Sequence, residues 1–237
     1  MKRKDRKQPA EGGRLAASRS PFANYLHNRA LSLREMGAPR GREWRSPVDR
    51  QGLIVDQTLL SDYRMGAVGS DGCGCGWIAC YNALRLLGRP EPAARIIREL
   101  EPALALRGRL GTRAVALAPF FLRRGFRISL SGTRSGIDRR AAGAGANILY
   151  YLRAPRAGKL TAHFVAFSGS CGTDEGGETL YRFYNSLTAP LGIRDALPGE
   201  KRPVCCAGGR RGDLRTLSSL LAPEHPVFVC ALCIYPR

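Results

Sequence analysis

The spacing of apolar residues changes part-way along the chain, and this change constrains the fold more than any other feature. Residues 77–87 (WIACYNALRLL), 90–106 and 112–124 place apolar side chains at helical spacing. Short runs rich in Val, Ile, Phe and Tyr, separated by Gly-rich turns, then predict strands. These runs are 126–130, 148–152, 163–167, 180–184 and 227–235, with a further helix expected within 213–221. Helices followed by strands predict an α+β fold, an N-terminal helical layer packed on an antiparallel sheet.

The start of the chain differs in composition from the rest. Residues 1–50 contain 13 Lys and Arg against 5 Asp and Glu, and their sparse apolar residues are interrupted by Pro and Gly. Such a segment buries too little apolar surface to offset its ordering entropy. We therefore predict a basic, largely disordered tail over 1–51, with a short helix allowed near 23–36. A single folded domain is predicted over 52–237.

The formal net charge is +19, from 38 Lys and Arg against 19 Asp and Glu. A chain this cationic attracts nucleic acid, anionic lipid or acidic proteins. Two hypotheses for the tail follow: it is an arm that binds polyanions, or it is a solvated linker. No apolar segment follows the basic start, and no run of 18 apolar residues exists. We therefore expect a cytoplasmic protein without a signal peptide or a membrane span.

The chain contains eight cysteines, too few for its length to suggest a disulfide-stapled scaffold. Cys230 and Cys233 have the C-x-x-C spacing of zinc ligands, but they lie in a predicted strand, where residues three apart point to opposite faces. We expect no metal and no organic cofactor. The cysteines are Cys73, Cys75, Cys80, Cys171, Cys205, Cys206, Cys230 and Cys233.

A glycine-rich turn delivers a cysteine to the start of the first predicted helix. In the segment 72–79 (GCGCGWIA), Cys75 lies between two glycines directly before the apolar helix. The unpaired N–H groups and positive end of a helix favour a thiolate, which is the nucleophilic form of cysteine. Cys75 is therefore the predicted nucleophile. Cys73, which lies earlier in the turn, remains a rival.

A cysteine nucleophile requires a base and a group that orients this base. The chain has three histidines: His27 in the tail, His225 before a proline, and His163 at the start of the strand run HFVAF. The strand would hold the His163 ring rigidly. Asn185, at the end of the run LYRFYN, supplies a suitable amide. We therefore predict a Cys75–His163–Asn185 triad.

These motifs carry a resemblance to a known family. GCGWIACYNALRLLG resembles the nucleophile helix of the papain-like, double-glycine leader peptidases, and LGTRAVALAPFFLRRGF resembles the element that follows it. ILYYLRAP, AHFVAF and YRFYNS resemble the strand before the histidine, the histidine strand and the third-residue strand. The resemblance covers residues 65–190. It implies a papain-like fold that hydrolyses a peptide or related amide bond in a peptide or protein substrate through an acyl-enzyme.

One position departs from the family pattern. The family usually has a Gln six residues before the nucleophile, where its side chain completes the oxyanion hole. Here Gly69 occupies that position, and the nearest upstream glutamine is Gln57. Losing one such donor typically slows turnover by about 100- to 1000-fold. Either another donor substitutes, such as Ser70 or a backbone N–H, or the site is weak or dead.

Three hypotheses therefore remain open from the sequence. The first is a cysteine peptidase, for which acyl transfer to an amine instead of water is chemically adjacent. The second is a catalytically dead relative that binds peptides. The third is a protein that binds polyanions through its basic surface and tail, with an affinity that falls steeply with salt.

Overall fold

The computed structural model of the chain describes residues 20–35, 47–153, 161–186 and 213–237. The helices are α1 (Pro21–Glu35), α2 (Ser70–Cys73), α3 (Cys75–Leu86), α4 (Ala93–Leu100), α5 (Leu117–Leu122), α6 (Arg134–Ala141) and α7 (Leu217–Leu221). The strands are β1 (Arg64–Met65), β2 (Val68–Gly69), β3 (Arg127–Ser131), β4 (Ala146–Arg153), β5 (Thr161–Thr173), β6 (Thr179–Tyr184), β7 (Asp213–Thr216) and β8 (Pro226–Tyr235).

A six-stranded sheet forms the centre of the fold. Its strand order is β3-β8-β4-β5-β6-β7, and every neighbouring pair is antiparallel. β1 and β2 form a separate two-stranded hairpin. The predicted α+β class with an antiparallel sheet is confirmed, and each of the five predicted apolar runs lies mainly within a strand.

Two hydrophobic cores cover the two faces of this sheet. The larger core packs α3, α4 and α5 against one face, which carries Ile148 and Phe164. The smaller core packs α6 and α7 against the other face, which carries Tyr151 and Val165. Because side chains alternate along a strand, neighbouring residues of β4 and β5 contribute to opposite cores. The sequence predicted only one helical layer.

The helix α3 is buried on all sides at the centre of the larger core. Its residues 75–84 are all buried, and α3 lies across β4 and β5. Asn82 carries its one buried amide, whose Oδ1 accepts from the N–H of Ile54 and whose Nδ2 donates to the carbonyl of Ile54, both at 2.8 Å. This reciprocal pair fixes the chain that precedes the site against α3.

Part of the predicted tail packs on the folded domain. α1 contacts α4, and its buried Asn24 donates to the carbonyl of Gly66 at 2.9 Å. Asn28 donates to the carbonyl of Arg64 and accepts from its N–H, both at 2.8 Å. The short helix that the sequence allowed near 23–36 is therefore α1, and the side-chain amides of Asn24 and Asn28 bind it to the folded domain. The other parts of the tail, 1–19 and 36–46, lie outside the described residues.

Several element boundaries differ from the sequence predictions. α4 ends at Leu100, before Pro102, and Leu106 and Arg107 then have φ of 47° and 55°. Such angles cannot continue a helix. The segment predicted as one helix over 213–221 is a strand followed by α7, and α6 has no counterpart among the predicted elements. Within the described ranges, none of the helices combines the length and apolar content needed to cross a bilayer.

Candidate active site

Cys75 opens α3 at the position that the sequence predicted. The two glycines beside it are required by close packing. A Cβ on Gly74 would contact the carbonyl oxygen of Ser70, and a Cβ on Gly76 would lie 2.6 Å from the Cβ of Thr112. These glycines therefore let α2 and the chain around Thr112 close onto the turn that carries the thiol.

Burial decides the ionisation of Cys75. Its side chain is buried in the larger core, and this burial raises the pKa of the thiol to about 11. Backbone hydrogen bonds from Phe164, Gly76 and Cys75 itself lower the pKa of the thiol, but they do not offset the desolvation. The thiolate that the sequence predicted at this helix start is therefore not the resting form.

His163 lies near the start of β5, buried, with its Nε2 3.0 Å from the carbonyl oxygen of Asn185. A carbonyl oxygen only accepts, so the neutral ring carries its proton on Nε2 and keeps the lone pair on Nδ1. Burial lowers the pKa of His163 to about 4, against a raising effect of the hydrogen bond that the ring donates to the Asn185 carbonyl. His163 is therefore neutral at rest and is orientated by a carbonyl, where the sequence predicted a side-chain amide.

The side chains of Cys75 and His163 lie on different sides of strand β5, to which His163 itself belongs. The Cys75 thiol lies at the backbone of Phe164, whose side chain joins the larger core. The His163 ring packs edge-on against Tyr151 of the smaller core, with 5.8 Å between the ring centroids. Among the described residues, no hydrogen bond joins the Cys75 thiol to the imidazole. The structure thus brings the predicted nucleophile next to the strand of the predicted base without coupling them directly.

Gln57 connects α2, which precedes Cys75, with Asn185, which contacts His163. The sequence did not predict this role. Its backbone N–H donates to Oδ1 of Asn185 at 3.1 Å, and Nδ2 of Asn185 donates to its Oε1 at 2.8 Å. Its Nε2 donates to the carbonyl of Asp71 in α2 at 2.8 Å. The sequence offered one sign of this role, since Gln57 is a lone amide within the largely apolar run 53–60.

Asn185 itself is held in a special backbone conformation. Its φ is 59°, in the left-handed region that asparagine tolerates better than most residues. This conformation turns the carbonyl toward His163 while the side chain faces Gln57. The polar connection therefore runs from the nucleophile turn through Gln57 and Asn185 to His163.

The structure explains why no glutamine lies six residues before Cys75. A Cβ on Gly69 would lie 2.6 Å from the carbonyl oxygen of Ser61 and 2.7 Å from Oδ1 of Asp71. The alternative donor proposed from the sequence, Ser70, is already engaged. Its Oγ donates to the carbonyl of Tyr63 at 2.8 Å and accepts from Nε1 of Trp77 at 3.0 Å.

Cys73, the rival nucleophile, lies outside α3 in the preceding short helix. Its Sγ donates to the carbonyl of Arg109 at 3.2 Å. Burial raises the pKa of this thiol, and the nearby Asp71 carboxylate raises it further. Cys73 is less buried than Cys75, but it lacks the backbone N–H groups of α3.

Aromatic side chains surround the approach to Cys75 on the same sheet face. The Tyr150 ring packs 4.7 Å from the Phe164 ring and 6.1 Å from the ring of Phe228, which is 48% exposed. Burial raises the pKa of Tyr150, and the proximity of Cys75 raises it further. The site is therefore bordered by apolar and aromatic surface.

Within the described residues, no group of three or more His, Cys, Asp or Glu side chains is arranged to hold a metal ion. Cys230 and Cys233 lie on β8, as the sequence predicted, while Cys205 and Cys206 lie outside the described residues. No family model matches the chain, and no curated protein is significantly similar to it.

Proposed function

We propose that this chain has a papain-like fold and is a thiol-dependent hydrolase of peptide or related amide bonds. Cys75 is the nucleophile, His163 the base and Asn185 the group that positions His163. The observation that carries the proposal is the arrangement around β5. Cys75 opens α3 against the backbone of Phe164, and the preceding residue of the strand, His163, has its ring held by Asn185.

The proposed reaction begins from a neutral pair rather than from an ion pair. With its proton on Nε2, His163 keeps a lone pair on Nδ1 that can accept the Cys75 proton. Because the Cys75 thiol lies in the larger core and the His163 ring packs on Tyr151 of the smaller core, the transfer requires a rearrangement that brings Sγ of Cys75 and Nδ1 of His163 to the same side of β5. The sulfur then attacks the carbonyl carbon, and the imidazolium protonates the leaving amine as the acyl-enzyme forms. Water, or an amine in the case of acyl transfer, completes the reaction.

Acetylation by p-nitrophenyl acetate tests this proposal without knowledge of the natural substrate. The expected result is a burst of p-nitrophenolate, with the acetyl group mapped to Cys75 by mass spectrometry. The burst should disappear in Cys75→Ala and His163→Ala and persist in Cys73→Ala. Acetylation that maps to Cys73, or that is unaffected in His163→Ala, would refute the assigned roles. A random peptide library then tests for cleavage of peptide bonds.

One observation favours a second candidate, a peptide-binding relative without catalytic activity. The Cys75 thiol has a pKa raised to about 11 by burial, and it has no hydrogen bond to His163 among the described residues. A protein of this kind would give no burst but would still bind peptides. In a pull-down from the same random library, peptides retained equally by wild type and Cys75→Ala would support this candidate.

A further inference from the structure

A buried hydroxyl without a partner lies against the first turn of α3. Thr112 is only 4% exposed, and its Oγ1 has no hydrogen-bond partner among the described residues. A Cβ built on Gly76 would lie 2.7 Å from this Oγ1 but 3.5 Å from the methyl Cγ2. The hydroxyl side of Thr112, rather than its methyl, therefore faces the turn that carries Cys75.

The position of Thr112 is fixed by the backbone on both sides. Thr112 forms an antiparallel bridge with Leu104, and the N–H of Arg113 donates to the carbonyl of Ala103 at 3.0 Å. A Cβ on Gly111 would lie 3.1 Å from the carbonyl oxygen of Cys73. The chain before Thr112 thus packs closely on the nucleophile turn, and the hydroxyl is held against it.

Burying a hydroxyl without a partner costs free energy, and such groups are rare in folded proteins unless a ligand, water or reaction intermediate uses them. Gly69 leaves no room for the usual donor side chain, and the hydroxyl of Ser70 is committed to Tyr63 and Trp77. Thr112 therefore carries the free side-chain donor that lies against the first turn of α3 in the described part of the chain.

We propose that the Thr112 hydroxyl, together with the backbone N–H groups at the start of α3, binds the oxyanion formed when Cys75 attacks a carbonyl. This inference rests on the proposed function and names the donor that replaces the missing glutamine. As the sulfur–carbon bond forms, the C=O π pair moves to oxygen, and the thiol proton goes to Nδ1 of His163. The oxygen accepts from Thr112 until the C=O bond re-forms, the carbon–leaving-group bond breaks, and His163 returns the proton to the leaving group.

Two reagents separate oxyanion binding from thiol reactivity. p-Nitrophenyl acetate acylates the thiol through a tetrahedral oxyanion, whereas iodoacetamide alkylates it by direct displacement without one. Thr112→Val removes the hydroxyl and keeps the shape, and Thr112→Ser keeps the hydroxyl. Rates are measured for Cys75 by mass spectrometry, with Cys75→Ala as the blank, and circular dichroism and Tm establish that each variant is folded.

The expected result is that Thr112→Val slows the acetylation of Cys75 about 100-fold while its alkylation rate is unchanged. Thr112→Ser should restore most of the acetylation rate. Equal acetylation of wild type and Thr112→Val would overturn the inference and leave the proposed function intact. Equal losses in acetylation and alkylation would also overturn it, because Thr112 would then act on the thiol. A wild type that is not acetylated on Cys75 would refute the proposed function, and the inference with it. Should the valine variant not fold, Thr112→Ala, which also lacks the hydroxyl, decides between the same outcomes.

Discussion

Gln57 and Asn185, which lie 128 residues apart in the sequence, are joined by two hydrogen bonds in the buried interior. The backbone N–H of Gln57 donates to the Asn185 side chain, whose amide donates back to the Gln57 side chain. Because the Asn185 carbonyl accepts from His163, this pair fixes the backbone that orientates the proposed base. Substitution of Gln57 therefore tests whether the orientation of the His163 ring depends on a residue that does not contact it.

Truncating Gln57 should destabilise the protein and disturb His163. Gln57→Ala leaves the Asn185 amide and the Asp71 carbonyl without their side-chain partner, and we expect a loss of about 2–4 kcal/mol in the free energy of unfolding. Urea denaturation measures this loss, and the NMR titration of His163 measures the change in its pKa. The exposed Gln51→Ala is the matched control. An unchanged His163 pKa in a folded Gln57→Ala protein would show that Gln57 acts on stability alone.

The stability of the protein should fall with acid because of His163. The unfolded ring takes up a proton near its ordinary pKa of 6.5, whereas the buried ring does so only near about 4. Between these values the unfolded state binds more protons, so the free energy of unfolding decreases as the pH falls, by about 3 kcal/mol in total. Denaturation of wild type and His163→Gln across this range should show a shallower pH dependence in the variant. His225→Asn, at an exposed turn with φ of 43°, is the control, and an equal slope in His163→Gln would contradict the assignment.

The thiol of Cys75 should react with iodoacetamide slowly at neutral pH. Because burial raises its pKa to about 11, the alkylation rate should rise with pH well beyond the ordinary thiol value of 9.0. Modified cysteines are mapped by mass spectrometry, and the exposed Cys171 serves as the internal reference for an accessible thiol. Fast labelling of Cys75 below about pH 7, abolished by His163→Ala, would instead establish a preformed ion pair, contrary to this structure.

A glutamine at position 69, as found in the leader peptidases that the sequence resembles, should not speed the acetylation of Cys75. Gly69→Gln drives its Cβ into the carbonyl of Ser61 and the carboxylate of Asp71, and we expect a loss of about 1–3 kcal/mol without faster acetylation of Cys75. Gly72→Ala, three residues further along in α2, is the matched control, because a Cβ there meets nothing within 4 Å. Its expected effect is neutral or stabilising, and Tm measurements compare the two variants. Faster acetylation in Gly69→Gln would mean that the chain adjusts to accept the side chain.

The helical layer that supports α3 depends on one buried arginine. Arg124 forms ion pairs with Glu91 at 2.8 Å and Glu99 at 2.6 Å and is only 10% exposed, while its guanidinium lies 3.6 Å above the Phe120 ring. Arg124→Ala removes the least exposed partner of both carboxylates and leaves them only the exposed Arg95 and Arg123, and we expect a loss of about 3 kcal/mol. Arg123, which pairs with Glu99 at 2.8 Å but is 59% exposed, is the control, and Arg123→Ala should cost less than about 1 kcal/mol. Similar losses in the two variants, measured by urea denaturation, would contradict this difference.

The sequence alone determined the features that depend on local chemistry. The change from helical to alternating apolar spacing predicted the α+β class, and the glycine-flanked Cys75 predicted a cysteine at the start of a buried helix. These features could be read because side-chain periodicity and glycine sterics act over a few residues. The boundaries of α4 and β7 could not be predicted in this way. Pro102 overrides the apolar pattern at the end of α4, and the pairing of β7 with β6 overrides it within 213–216.

Only the tertiary structure decided how the predicted site residues meet. The neutral state of Cys75 and His163 follows from burial, which composition does not reveal, and the carbonyl contact of Asn185 follows from its left-handed backbone. The contacts of Gln57 and the proposed role of Thr112 likewise arise from packing between distant segments. Local sequence patterns choose the elements and the candidate groups, whereas desolvation and long-range hydrogen bonds, which exist only once the chain has packed, set their chemistry.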